Sequence, residues 1–297
     1  MSDHSQGGPR VSIGLPVFNG LPYVRRAVDS LLAQTFEDFE LIISDNCSTD
    51  GSSEILHEYA ANDSRIRYIR HPHNRGANFN FRFVLNQAQY EYFMFAAHDD
   101  SWNPEFIAAN LEILQNRDDV VCSMSKAEIE RDITMSTDYN RLGTQALLGT
   151  RRQNLFWYLV NISANCRFYG LFRRHVLLQC IRDERRYFAS DIVIMARTLM
   201  FGKHYEVDRV LFRRGNGGVC RNLLQHARDI NRDRWVSRLI PVWTFLVEMF
   251  RDPLFPRWSP GFWFAVFAYA VEIWFVIYLQ QADIKIRALW RWMRGSQ

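Results

Sequence analysis

Apolar residues along the first 124 positions follow two periods, one typical of buried strands and one typical of amphipathic helices. Continuous apolar runs at Val11–Val17 and Phe39–Asp45 predict two buried strands. Between them, from Val24 to Leu32, apolar residues recur at helical spacing, which predicts an amphipathic helix. Strand and helix continue to alternate up to residue 124. This alternation predicts an α/β protein with a largely parallel sheet and right-handed crossovers.

The same two periods predict the remaining elements, although the pattern weakens after residue 125. The further predicted strands are 65–71, 90–98, 120–124, 167–172 and 205–212. The further predicted helices lie around 55–59, at 78–88, from Pro104 onward, at 155–162 and at 191–201. Two stretches lack periodicity and are predicted loops: 131–150, and the basic segment 213–218.

The last 70 residues are more aromatic than the rest of the chain. Gly261–Leu279 is apolar except for Glu272, and its length is close to that of a segment that spans a bilayer. The residues that follow mix arginine with tryptophan: Arg287, Trp290, Arg291, Trp292 and Arg294. Three interpretations stay open: a helix that lies on a membrane, one that spans it, and one that packs on a core. We predict a first domain over residues 10–222 and a helical, membrane-associated segment over residues 223–297.

Composition and charge exclude some classes of function. Apolar residues make up 48% of the 297 residues, which is enough for a sizeable core. The net charge of +4 is too small to indicate nucleic-acid binding, but it suits anionic phosphates or an anionic membrane surface. The polar stretch from Met1 to Arg10 has no apolar core typical of a secretory signal. We therefore expect a cytoplasmic protein, attached at the inner face of the plasma membrane if its C-terminal segment lies on the bilayer.

Four aspartates mark the candidate chemistry. Asp45 ends one predicted strand, Asp99 and Asp100 follow another, and Asp191 opens a predicted helix. Carboxylates at the carboxyl ends of strands point into the crevice where open α/β sheets bind ligands. A carboxylate pair in that crevice suits a divalent cation that holds phosphates. The pattern therefore predicts an enzyme that handles a nucleoside diphosphate.

Three motifs that follow successive strands resemble those of a known family. The motifs are Pro16–Asn19, Ser44–Ser52 and Asp99–Pro104, and together they resemble the family 2 glycosyltransferases of the inverting GT-A fold over residues 10–215. The resemblance implies a Rossmann-like, mostly parallel mixed sheet flanked by helices. It also implies transfer of a sugar from a nucleotide diphosphate sugar to a glycan or lipid-linked hydroxyl acceptor, with Mg²⁺ or Mn²⁺, in cell-surface polysaccharide synthesis.

The resemblance assigns a nucleotide-sugar site to the first three strand ends. It implies that Asp45 reads the nucleotide base, while Asn46 stands where the family usually has a second acid. Pro16 and Asn19 are expected in the first strand-to-helix loop, which lines the nucleotide pocket. Arg75 is expected to pair with a phosphate or to stack on the base. A simple turn at Asn19 and a solvated Arg75 are the alternatives.

The metal site falls on Ala97–Asp100, where the family has Asp-x-Asp-Asp. Ala97 replaces the first acid, and Asp99 matches the position that faces the metal and the donor. Asp100 is the second predicted metal residue, with helix capping or orientation of Asp99 as its alternatives. One or two protein carboxylates are enough for a cation whose other ligands are waters and phosphates. Whether His98 is a further ligand stays open. The alternation of side chains along a strand favours a position on the sheet face opposite Asp99.

Asp191 is the predicted catalytic base. The resemblance places an acidic pair here, at a helix N-terminus that faces the sugar, but Ser190 replaces the first acid. Inversion needs a single base to take the proton of the acceptor hydroxyl. Capping of the 191–201 helix is the alternative role. Arg213 or Arg214 is a candidate to neutralise the pyrophosphate leaving group, and an ordinary surface charge is the slightly favoured alternative.

Two other classes of function compete with a transferase. Non-acidic residues at Asn46, Ala97 and Ser190 make a catalytically inactive nucleotide-sugar-binding or scaffold protein of the same fold conceivable. A nucleotidyltransferase also uses strand-end carboxylates and a metal. It normally carries a basic, Gly-rich loop after the first strand, and residues 14–20 contain no basic residue. We therefore rank the nucleotidyltransferase low.

Overall fold

One mixed sheet of eight strands forms the centre of the computed structural model, which describes residues 10–129, 143–161, 165–181, 189–215, 242–256 and 259–275. The strands, in chain order, are β1 Val11–Val17, β2 Phe39–Asp45, β3 Ile66–Arg70, β4 Tyr92–Phe95, β5 Ser101–Trp102, β6 Val120–Ile129, β7 Leu171–Arg173 and β8 Lys203–Arg214. Their order across the sheet is β3-β2-β1-β4-β7-β6-β8-β5.

Helices cover both faces of this sheet. They are α1 Val24–Leu32, α2 Ser52–Asn62, α3 Ala77–Gln87, α4 Phe106–Asn116, α5 Arg151–Val160, α6 Arg174–Cys180, α7 Ser190–Thr198, α8 Trp243–Arg251 and α9 over residues 260–275. A short 3₁₀ helix, Cys166–Tyr169, precedes β7. Several predictions fall at least partly outside the described residues: positions 131–142 of the predicted loop 131–150, the loop residues 216–218, the 222/223 boundary and the stretch from residue 276 onward.

The parallel part of the sheet creates a crevice at its carboxyl edge. Strand β1 pairs in parallel with β2 on one side and with β4 on the other, and β2 pairs in parallel with β3. The chain therefore moves outward from β1 to β3 and then returns to the other side of β1. Such a reversal of strand order is where open α/β sheets bind ligands.

Strand β7 makes the sheet mixed, because it lies antiparallel between β4 and β6. The predicted strand over 167–172 is wrong in its first half, since Cys166–Tyr169 forms a 3₁₀ helix and the strand occupies only Leu171–Arg173. Asn165 has left-handed backbone dihedrals, which turn the chain directly before this helix. In contrast, β1 and β2 have the predicted bounds.

Two apolar cores lie on opposite faces of the sheet. Helices α1, α2 and α4 enclose one core, and helices α3, α5, α7, α8 and α9 enclose the other. Helices α8 and α9 therefore pack on the same core as the sheet. A buried ion cluster joins α7 to α8, because the Arg197 guanidinium donates to Glu248 Oε1 at 2.7 Å and also to the carboxylate of Asp252. Residues 239–250 are apolar apart from a single acid, Glu248, and this contact gives that acid a buried partner.

Candidate active site

Asp45 lies at the tip of β2 and is completely buried. Its Oδ1 accepts a hydrogen bond from the Ser48 amide at 2.8 Å, and its Oδ2 accepts from Tyr68 Oη at 2.9 Å and from the Ser53 hydroxyl. Burial raises the pKa of the Asp45 carboxyl, but these hydrogen bonds outweigh burial and lower the pKa below its ordinary value. Asp45 is therefore a fixed anion that holds the β2–α2 loop in place.

Asn46 shapes the neighbouring loop through all the groups of its side chain. Its Nδ2 donates to Asn74 Oδ1 at 2.8 Å and to the Gly76 carbonyl at 3.2 Å, while its Oδ1 accepts from the Arg75 amide at 2.9 Å. An aspartate cannot make the two donations, and its charge would face two acceptor oxygens. The hydrogen bonds that hold the 74–76 loop therefore need an amide at position 46.

Pro16 and Asn19 occupy different environments. Pro16 is buried in β1, where it pairs with Ser44, so the expectation that it lies in the following loop is wrong. The ladder to β4 ends at Phe95, so a residue without an N–H is tolerated at position 16. Asn19 is exposed, has a φ of 51°, and its Oδ1 accepts from the Thr49 amide at 2.9 Å. Asn19 thereby ties the β1–α1 loop to the β2–α2 loop.

Arg75 stacks on an aromatic ring at the start of α3. Its guanidinium carbon lies 3.5 Å from the ring centroid of Phe79. The ring of His71 packs edge-on against the same phenylalanine, with centroids 5.1 Å apart. A guanidinium over an aromatic ring is attracted by the negative face of the ring. Arg75 thus borders the crevice beside Asn46.

Asp99 and Asp100 follow β4 and are both buried. The Asp99 carbonyl accepts from Arg26 Nη2 at 2.8 Å, and Asp100 Oδ1 accepts from the Gly215 amide at 2.9 Å. A Cβ added to Gly215 would lie 1.9 Å from the Asp99 carbonyl oxygen, so only glycine allows this approach. The antiparallel pairing of β5 with β8 brings the two segments together. Asp100 therefore anchors the end of β8 and does not cap α4, whose N-cap residue is Glu105.

The second carboxylate oxygen of Asp100 fits a metal site. Oδ2 is buried without a hydrogen-bond partner. Burial and the neighbouring charge of Asp99 raise the pKa of Asp100 to about 8. A divalent cation between Asp99 and Asp100 would satisfy this oxygen and offset the repulsion. Within the described ranges no group of three histidine, cysteine or acidic side chains is placed to hold a metal, so any cation here also needs phosphate and water oxygens.

His98 lies beyond the end of β4, so strand alternation does not set its direction. Burial lowers the pKa of the His98 imidazole, and the charges of Asp99 and Asp50 partly offset that effect. Asp50 itself accepts from the Leu21 amide at 2.9 Å, in the pair of loops tied by Asn19. The role of the His98 imidazole as a metal ligand stays a prediction.

Asp191 lies in the first turn of α7 and is half-buried. The N-cap of this helix is Ala189, whose φ of 57° is unusual for a residue with a side chain, so Asp191 does not cap the helix. Its Oδ2 accepts from Asn165 Nδ2 at 2.8 Å. Asn165 in turn accepts from the buried Tyr158 hydroxyl at 3.1 Å. The carboxylate is thus held by a side chain from another segment.

Arg214, the last residue of β8, lies beside the 3₁₀ helix that follows Asn165. Its Nη1 lies 3.7 Å from Cys166 Sγ, next to Asn165, and its charge acts to lower the pKa of Asp100. Arg213 points away and pairs with Glu128 Oε1 at 2.6 Å on the exposed surface. Of the two arginines, Arg214 therefore borders the candidate site.

The family of the chain follows from a comparison with known proteins. The model of "Glycosyl transferase family 2" matches residues 12–180, more than half of the chain. The chain belongs to glycosyl transferase family 2. The predicted resemblance is thereby confirmed, and with it the assignment to the glycosyltransferases at the level of the family.

Curated relatives in glycosyl transferase family 2 match part of the chain. A protein named as a teichuronic acid biosynthesis glycosyltransferase, TuaG of Bacillus subtilis (strain 168), is 36% identical over 109 residues, 37% of this chain and 43% of TuaG. A protein named as a colanic acid biosynthesis glycosyl transferase, WcaA of Escherichia coli (strain K12), is 37% identical over 108 residues, 36% of this chain and 38% of WcaA. The chain spans less than half the length of these relatives.

Solved structures share the fold. The mannosyltransferase PcManGT of Pyrobaculum calidifontis, in complex with GDP-Man and Mn²⁺, superposes with a TM-score of 0.61 at 15% identity, over 96% of this chain and 76% of PcManGT. S. aureus TarS 1–349 in complex with UDP gives a TM-score of 0.58 at 17% identity, over 82% and 72% of the two chains. The predicted GT-A fold is confirmed.

Three residues of the candidate site were missing from the sequence-based set. Asn165 and Tyr158 hold Asp191, and Gly215 anchors Asp100. Nothing in the sequence links Asn165 to an acid 26 positions away. The one available signal was Gly215 within the Arg-Arg-Gly segment, since glycine after a strand often allows a close backbone approach.

Proposed function

We propose that the chain transfers a sugar from a nucleotide diphosphate sugar to a hydroxyl acceptor with inversion at the anomeric carbon. The observation that carries this proposal is that Arg214, whose charge lowers the pKa of Asp100, contacts Cys166, and that the next residue, Asn165, donates to Asp191. These contacts support a site in which a carboxylate pair, a cation and a separate carboxylate act together. A transferase of this type needs those three functions near one another.

The reaction is a single displacement in which Asp191 acts as the base. The acceptor oxygen forms a bond to the anomeric carbon while the bond from that carbon to the diphosphate oxygen breaks. The electron pair of the broken bond stays on the diphosphate, and the acceptor proton passes to the Asp191 carboxylate. Arg214 compensates the charge that develops on the leaving group.

The metal proposal rests on the partnerless Oδ2 of Asp100. Asp99 and Asp100 would hold Mg²⁺ or Mn²⁺ together with the diphosphate of the donor. When bound, such a cation acts as a Lewis acid that stabilises the departing diphosphate. Asp45, Asn46, Pro16, Asn19 and Arg75 line or order the nucleotide side of the crevice. PcManGT has been solved with GDP-Man and Mn²⁺, which supports the use of a nucleotide sugar and a divalent metal.

A donor screen tests the activity itself. With Mn²⁺ present, we expect one of several UDP- or GDP-linked sugars to raise the melting temperature, since a ligand that binds only the native state stabilises it. With that donor and decyl glycosides as acceptors, proton NMR should show the anomeric configuration of the product inverted. Retention of configuration would contradict the proposed base mechanism. Donor binding without release of nucleoside diphosphate would favour the catalytically inactive binding protein.

We further propose that the acceptor is a glycan or lipid-linked sugar handled on the cytoplasmic side of the plasma membrane. The names of TuaG and WcaA refer to the synthesis of teichuronic and colanic acids, which supports a role in cell-surface polysaccharide synthesis. Within the described residues, no helix has the length and apolar character needed to cross a membrane.

The outward face of α9 supports attachment at the membrane surface. One face of the helix packs on the core through residues such as Phe262, Val266 and Tyr269. The opposite face exposes a stripe of large apolar side chains: Phe264, Phe267, Val271, Trp274 and Phe275. An exposed stripe of this kind, on a helix with Glu272 as its single acid, indicates an apolar partner.

Helix α5 extends this exposed apolar face and adds positively charged side chains beside it. Phe156 of α5 stacks near Phe264 with centroids 6.5 Å apart, and Trp157 beside it is 56% exposed. Arg151 and Arg152, on the first turn of α5, are exposed. Aromatic side chains bordered by arginine suit the interface of an anionic bilayer.

Vesicle binding tests the membrane proposal. We expect the full chain to co-sediment with phosphatidylglycerol vesicles, and the double variant Phe264→Glu, Val271→Glu to bind at least about tenfold more weakly, since each apolar side chain contributes about 1.5–3 kcal/mol when buried. Leu178→Glu, a matched change at an exposed leucine of α6, should bind like the wild type. Unchanged binding of the double variant, or dimerisation of the wild type in place of vesicle binding, would contradict the proposal.

A further inference from the structure

Asn165 combines an unusual backbone with a buried amide. Its φ and ψ of 42° and 39° lie in the left-handed region, which asparagine and glycine tolerate better than other residues. The residue is 4% exposed. Its Nδ2 donates to Asp191 Oδ2 at 2.8 Å. The same residue thus turns the chain into the 3₁₀ helix and reaches the proposed base.

Tyr158 fixes the direction of that amide. Its hydroxyl, buried beneath α7, donates to Asn165 Oδ1 at 3.1 Å and lies 3.4 Å from the Ile192 carbonyl. If the amide were reversed, Asn165 Oδ1 would face the carboxylate of Asp191, and two acceptors would meet. Burial, followed by the charge of Asp191, raises the pKa of Tyr158 well above its ordinary value, so the hydroxyl remains a donor.

The donors therefore run in one direction, from the Tyr158 hydroxyl to the Asn165 amide and on to the Asp191 carboxylate. Tyr158 comes from α5, Asn165 from the turn before the 3₁₀ helix, and Asp191 from α7. One oxygen of the carboxylate, Oδ2, is held from the protein side by this amide, which restricts the rotation of the group. Asp191 itself is only half-buried.

We propose that Asn165, oriented by Tyr158, is a positioning residue for the base Asp191 and sets the direction in which its carboxylate meets the acceptor hydroxyl. This inference rests on the proposed function. Neither side chain takes part in the bonds that form and break. Their contribution is to restrict the rotation of the Asp191 carboxyl, and a misplacement of about 1 Å in such a group can lower a rate about 100-fold.

Asn165→Gly removes the side-chain amide but keeps the backbone conformation, because glycine adopts the left-handed conformation without strain. We expect this variant to lower kcat about 10- to 100-fold with the KM for the donor unchanged. The assay measures nucleoside diphosphate release from the donor identified in the screen, with Mn²⁺ and decyl glycosides. A melting temperature close to that of the wild type verifies the fold. A kcat within twofold of the wild type would overturn the proposal.

A double-mutant cycle tests the coupling to Tyr158. Tyr158→Phe should lower kcat in the wild-type background but have little further effect in Asn165→Gly, since Tyr158 acts through the amide. Fully additive effects would overturn the relay. Asp191→Asn in the same assay distinguishes a failure of the positioning role from a failure of the base assignment. If Asp191→Asn is inactive while Asn165→Gly is fully active, only the positioning role fails. If Asp191→Asn retains turnover, both the base and the positioning role fail.

Discussion

Asp191→Asn is expected to lower kcat by about 10³-fold while leaving donor binding and the melting temperature close to those of the wild type. The reason is that general-base catalysis contributes about 10²- to 10⁴-fold, and an amide has no comparable basicity. Asparagine keeps the shape of the side chain and can still accept from Asn165 Nδ2, so the surrounding contacts persist. The measurement is the initial rate of nucleoside diphosphate release with donor, Mn²⁺ and acceptor.

Asp208→Asn is the matched control for this change. Asp208 is an exposed acid on β8 that pairs with Lys126, away from the carboxylate pair and the base. The same loss of charge at this position should leave kcat unchanged. Wild-type turnover in Asp191→Asn would contradict the base assignment, and the acceptor proton would then have to pass to another group.

Asp99→Asn is expected to abolish the metal-dependent part of donor binding. At a donor concentration about 100-fold above Kd, binding stabilises the native state by about 2.7 kcal/mol, which corresponds to roughly 4 °C in melting temperature for a chain of this size. The wild type should show this shift with Mn²⁺ and lose most of it in EDTA. Asp99→Asn should resemble the EDTA condition even when Mn²⁺ is present.

Asp118→Asn is a suitable control, since its side chain is fully exposed after α4. Titration calorimetry with Mn²⁺ and donor provides a second readout that does not depend on turnover. A full thermal shift of Asp99→Asn with Mn²⁺ would contradict the metal role. If the wild type showed the same shift in EDTA, the carboxylate pair would have to serve the donor without a cation.

The central strands were predictable because burial on both faces makes them continuous apolar runs. Val11–Val17 and Phe39–Asp45 have the predicted bounds, and every residue of the first is buried. Tyr92–Phe95 is shorter than predicted, because the chain leaves β4 to form the turn that carries Asp99 and Asp100. Hydrophobicity alone does not mark that departure, since Ala96 and the two aspartates are also buried.

Motif position located the acids but did not reveal their partners. The sequence placed Asp45 at a strand end, whereas only the structure shows that both of its oxygens are occupied by hydrogen bonds within the protein. Likewise Asp191 was found from its motif, but Asn165 depends on a left-handed turn that a strand-like pattern over 167–172 concealed. Side-chain contacts between segments far apart in the chain leave no periodic signal.

Arg197 joins the helix that carries Asp191 to the C-terminal helices. This arginine lies on α7, less than two turns from Asp191, and its partners Glu248 and Asp252 belong to the α8 region. Removal of the partners would strand a buried charge, at a cost of about 3–5 kcal/mol. The helix that carries the proposed base is therefore clamped to the segment whose neighbour α9 displays the aromatic stripe. A bilayer under that stripe would fix the tilt of the catalytic cleft relative to the lipid plane, and thereby the height above the membrane at which an acceptor sugar is met.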